Sequence, residues 1–69
     1  MVEVFKTNVQ DDRQAAMLLQ LLAHLFPNYR ITFDLEDCDN ILRIAGDDIC
    51  SKKTIALLYS NGFKCEVLN

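Results

Sequence analysis

The stretch that decides the fold is Tyr29-Arg30-Ile31-Thr32-Phe33-Asp34-Leu35, Glu36-Asp37-Cys38-Asp39-Asn40 and Ile41-Leu42-Arg43-Ile44-Ala45. In its first part Ile31, Phe33 and Leu35 alternate with Arg30, Thr32 and Asp34, the two-residue period of a strand with one buried face. Residues 36–40 are rich in side chains that tolerate turn geometry. Ile41 to Ala45 returns as a second strand with Leu42 and Ile44 inward, and Gly46-Asp47-Asp48 ends it. The two runs form a hairpin.

Helical patterns lie on both sides of that hairpin. Upstream, Asp11 or Asp12 can cap a helix, because a carboxylate there accepts free backbone N–H groups and suits the positive dipole end. This helix runs to about Phe26 and stops before Pro27. Ala15, Leu18, Leu19, Leu22, Leu25 and Phe26 form its apolar stripe. Arg13, Gln20 and His24 lie opposite, with Met17 among them and Leu21 on a flank. Downstream, a second helix covers roughly Ser51 to Asn61, anchored by Ile55 and Leu58. Gly62 suits the left-handed position after its end.

Short strands close the chain at both ends. Val2, Val4 and Lys6 alternate with Glu3, Phe5 and Thr7, and Phe63, Cys65 and Val67 face inward on the last strand. The order strand, helix, strand, strand, helix, strand makes two βαβ units. Right-handed crossovers then give an α+β, ferredoxin-like βαββαβ sandwich, with antiparallel strand order 4-1-3-2 and both helices on one face. Such a fold brings the first strand–helix turn, the 36–40 hairpin and the turn at Gly62 to one end. Cys50 and the start of the second helix fall at the other.

Composition narrows the function. Sixty-nine residues make a single domain. Seven scattered basic residues against ten acidic ones, for a formal charge of −3, argue against a nucleic-acid partner. No run approaches the ~20 apolar residues of a membrane span, and Met1-Val2-Glu3-Val4-Phe5 does not read as a signal peptide, so a cytoplasmic location is expected. Cys38, Cys50 and Cys65 show no metal-ligand spacing and are expected to be reduced thiols.

Four stretches carry a family resemblance: Ile31 to Glu36, Leu42 to Asp47, Ile55 to Leu58, and Asn61-Gly62-Phe63-Lys64. Together they resemble the heavy-metal-associated domain, the family of small copper chaperones, N-terminal domains of metal-pumping ATPases and mercury carriers. The resemblance implies a soft metal held by two cysteines in a CxxC motif at the first strand–helix turn. Those thiolates would fall between Val9 and Gln14, where this chain has no sulfur ligand. Phe63 and Lys64 match residues that support the family's metal loop. The expectation is a domain of this type lacking the metal motif and binding no cofactor.

The remaining candidate sites can be weighed individually. Cys38 and Cys65 are the available soft ligands near the expected metal end; a residual metal site would have to use them across two chains. Cys65 reads first as a small core residue. Ser51-Lys52-Lys53 opens the second helix with two cations against the dipole, a possible anion site of a ligand-sensing module. His24 has no partner spaced to orient it, and no catalytic set assembles, so an enzyme is not expected. The uncovered sheet face should display Phe5 and Ile41 beside Glu3, Thr32, Asp34 and Arg43, with Met17 and Leu21 as an apolar flank on the first helix. That surface suggests a protein partner or a homodimer.

Overall fold

The computed structural model describes residues 1–68. The chain runs β1 (Val2–Thr7), α1 (Asp12–Leu25), β2 (Arg30–Asp34), β3 (Ile41–Ala45), α2 (Ser51–Ser60) and β4 (Cys65–Val67). The sheet order is β2-β3-β1-β4 with every neighbouring pair antiparallel, which read from the other edge is 4-1-3-2.

Local chemistry sets the helix ends. Asp11 is the N-cap of α1, its carboxylate accepting the Gln14 N–H at 2.8 Å, while the Gln14 side chain accepts the Gln10 N–H at 2.9 Å. This reciprocal pair satisfies two donors at the helix start. At the other end Phe26 is the C-cap and Pro27 follows, so the helix ends one residue earlier than its apolar stripe suggested. α2 closes with Gly62 at φ 88°; the Gly62 N–H donates to Tyr59 O at 3.0 Å and the Phe63 N–H to Leu58 O at 2.9 Å. That double bond pattern is a Schellman motif, and the left-handed residue in it is the expected glycine.

Register fixes the core. Phe33, Leu42, Phe5 and Val67 lie opposite one another across the four strands, and Ile31, Ile44 and Glu3 form the next row on the same face. Phe5, Leu42 and Ile44 join Ala15, Leu18, Leu22 and Phe26 of the α1 segment and Leu58 of α2 in one buried cluster. Both helices therefore cover the same side of the sheet.

Two residues expected on the open face are buried. Phe5 is fully enclosed, because β1 is turned over relative to the alternation expected for it: Glu3, Phe5 and Thr7 face the helices. Apolar residues occupy both faces of β1, so period alone does not choose between them. Burying the larger Phe5 between Leu42 and Val67 wins over the smaller Val2, which is 59% exposed. Glu3 moves inward with it. Ile41 does occupy the outer face, opposite Lys6 and Asp34, yet it is only 3% exposed. Those two neighbours are held by ion pairs, Lys6 with Asp39 at 3.8 Å and Asp34 with Arg43 at 3.7 Å. The aliphatic stem of a lysine held in an ion pair is the kind of cover that hides an apolar neighbour on an open sheet face.

Candidate functional site

Three loops meet at one end of the domain, and hydrogen bonds link them. The Thr7 N–H donates to Asp39 O at 3.2 Å, and the Thr7 hydroxyl donates to Asn40 O at 2.6 Å while accepting the Val9 N–H at 3.2 Å. The Asn40 amide donates back to Val9 O at 2.6 Å, and the Lys64 N–H donates to Asn8 Oδ1 at 2.8 Å. Asn40 adopts φ 48°, a left-handed conformation that asparagine tolerates better than most residues. Val9, inside the turn, is fully buried. Residues 7–11 thus act as a joint between the β2–β3 hairpin and the α2–β4 turn.

The two candidate thiols at this end differ. Cys38 is exposed in the hairpin, with ligand atoms of Asp37, Cys38 and Asp39 within 4.8 Å of one another. Both carboxylates already have structural work: Asp37 Oδ1 accepts the Asp39 N–H at 2.9 Å, and Asp39 faces Lys6. One thiol and two carboxylates also make a mixed donor set, unlike the paired thiolates that select Cu(I). Cys65 lies on β4 opposite Thr7 and packs against the core, as its alternation predicted. Burial, with a smaller push from Glu66, raises its thiol to about 12, so it stays protonated. It does not join the Cys38 cluster.

Ser51, Lys52 and Lys53 sit at the opposite end. Lys52 and Lys53 are exposed, and Cys50 holds the N-cap position without a side-chain cap bond. The Ser51 hydroxyl donates to the Glu3 carboxylate at 3.4 Å. An intramolecular anion therefore already lies beside this helix start, a feature hidden until β1 is turned over. On α1, Met17 is 43% exposed and Leu21 is half-buried. His24 is exposed.

The open sheet face carries other residues than those first singled out. Its rows run Arg30, Ala45, Val2; then Thr32, Arg43, Val4; then Asp34, Ile41, Lys6, Glu66. Leu68 is 40% exposed, and its N–H donates to Val4 O at 2.8 Å, which extends the middle row. Sequence reasoning missed Val2 and Val4 because it assigned β1 the wrong face, and it left out Leu68 although the alternation of β4 already turns that residue outward. No helix is long and apolar enough to cross a membrane among the described residues. No protein-family profile matches the chain, and no curated protein matches its sequence.

Proposed function

We propose that the protein is a ferredoxin-like domain of the heavy-metal-associated type without the paired-thiolate motif, and that it works by self-association through its open sheet face. The observation that carries this reading is the apolar centre of that face, Val2, Val4 and Leu68, bordered by side chains of both signs. Lys6, Arg30 and Arg43 share the surface with Asp34 and Glu66, so the face complements a second copy better than a uniformly charged partner. The two longest dimensions of the domain, 27 × 24 Å, cap that face at roughly 600 Å² per copy, below the ~800 Å² of a standard interface. The expected dimer is accordingly weak and concentration-dependent. It acts as a binding module rather than an enzyme, in a reducing cytoplasmic setting where its three cysteines stay free.

Sedimentation velocity tests this directly. The protein should shift from monomer to dimer between low micromolar and millimolar concentration, and Val4→Lys or Leu68→Lys should hold it monomeric while leaving its circular dichroism unchanged. A wild-type protein that stays monomeric throughout, or a dimer indifferent to both substitutions, would refute the reading.

A further inference from the structure

A cleft of about 420 Å³ opens beside the edge strand β4, away from the centre of the open sheet face. Its volume falls within the ~300–1,000 Å³ of small-molecule sites. Ile55 and Tyr59 of α2 and Cys65 of β4 supply most of an apolar lining. The Thr7 hydroxyl in its wall is already committed to Asn40 and Val9, so it presents no unmet donor.

The polar groups at the cleft are asymmetric. Lys6 is paired with Asp39, and its cross-strand neighbour Glu66 has no cation within 4.0 Å among the described residues. Lys64 has no carboxylate within 4.0 Å among the described residues. Its backbone N–H is fixed on Asn8 Oδ1, which leaves the Asn8 amide nitrogen as a second donor beside the cleft. Two ammonium groups to one carboxylate in the lining, one amide donor and apolar walls favour a ligand with one negative end and a hydrophobic body. A polyanion would meet Glu66, and an amine would meet Lys64.

We propose that this cleft between α2 and β4 binds a small monocarboxylate with an apolar body, the carboxylate at Lys64 and Asn8 and the body against Ile55, Tyr59 and Cys65. The raised Cys65 thiol accords with this placement, since a thiol kept protonated is an apolar wall rather than a second charge. Lys6 and Glu66 border both this cleft and the self-associating face, but the groups assigned to the ligand, Lys64, Asn8, Ile55, Tyr59 and Cys65, are not in the rows of that face.

Amide NMR shifts of nitrogen-labelled protein, titrated separately with phenylbutyrate, phenylbutanol and phenylbutylamine, test it. The acid should give saturable shifts at Asn8, Ile55, Tyr59, Lys64 and Cys65, and bind about two- to five-fold tighter than the alcohol, the range of an exposed ion pair. Lys64→Gln, an exposed change, should erase that preference while the alcohol binds as before. Tyr59→Ser should weaken acid and alcohol alike. Non-saturating shifts, saturable shifts elsewhere on the protein, an amine that binds as well as the acid, or a preference that survives Lys64→Gln would each overturn the assignment.

Discussion

Truncating Phe5 tests the face assignment of β1 and, with it, which surface is free to bind anything. Phe5 has no solvent exposure and lies between Leu42 and Val67, in a row that continues to Phe33. Removing an enclosed phenylalanine ring costs about 3–5 kcal/mol, the lost transfer energy plus the cavity left behind. A 69-residue domain has only roughly 3–10 kcal/mol to lose, at ~0.05–0.15 kcal/mol per residue. Phe5→Ala should therefore be largely unfolded or close to it at room temperature. Phe5→Leu, which keeps most of the volume, should stay folded with a loss of about 1–1.5 kcal/mol. Val4 points the other way and is half-buried, so Val4→Ala should cost less than about 1 kcal/mol. The assay is urea unfolding followed by far-ultraviolet circular dichroism at low micromolar protein, where self-association contributes little to apparent stability. A larger loss from Val4→Ala than from Phe5→Ala would invert the face assignment and remove the apolar centre on which the proposed dimer depends.

Four further outcomes follow from other parts of the structure. A Cβ at Gly46 would collide with the Tyr29 ring, and that ring cannot easily yield: it packs on Phe26 at 5.1 Å and its hydroxyl donates to the carbonyls of Asp47 and Asp48. Gly46→Ala should lower stability by about 1–3 kcal/mol, most of it relieved in a Tyr29→Ala background, as a double-mutant cycle will read. The Cys65 thiol, pushed up to about 12 by burial, should react with iodoacetamide at pH 8 on the order of a hundredfold or more slower than exposed Cys38, as mass mapping will show. Because the folded form holds this proton while the unfolded thiol releases it above its ordinary 9.0, its contribution makes stability fall as pH rises from about 9 toward 12, and Cys65→Ala should reduce that slope. Finally, Asp11 and Gln14 stand three apart at a helix start, so Asp11→Cys with Gln14→Cys should create a one-to-one Zn²⁺ or Cu(I) site readable by competition with a chromophoric chelator. Failure to bind would count against kinship with the metal-carrying family.

The element order was legible because each segment has a pattern of its own. The 29–45 hairpin alternates cleanly, α1 has a full apolar stripe, and Gly62 marks the end of α2. What stayed hidden needed information from elsewhere in the chain. β1 carries apolar residues on both faces, and only its pairing with Leu42 and Val67 decides for Phe5. Thr54 reads as polar yet is fully buried, because its hydroxyl can donate to Cys50 O at 3.2 Å within the helix. Val9 belongs to no periodic segment. The bonds of Asn40 to Val9 and of Lys64 to Asn8 join residues 31 and 56 positions apart, and no local signature announces them. The α2–β4 cleft is of the same kind, since its walls come from three elements that meet only in the folded chain.

The same long-range bonds explain why the first strand–helix turn and the α2–β4 cleft have different prospects. In the turn, the Asp11 carboxylate, the Gln14 amide oxygen, the Thr7 hydroxyl and the Asn8 amide oxygen all take part in hydrogen bonds that hold backbone in place. Recruiting them to a ligand would break the joint between three loops, and that loss would offset the binding. The cleft makes no such demand. Asn8 and the Schellman motif fix the backbone of Lys64 and Phe63, while the Lys64 ammonium and the Tyr59 side chain remain outside that network. Groups held by backbone yet uncommitted at their tips are the ones a ligand can use without unfolding anything, which is what preorganisation means here. The turn therefore contributes to binding indirectly, by keeping the neighbouring cleft rigid.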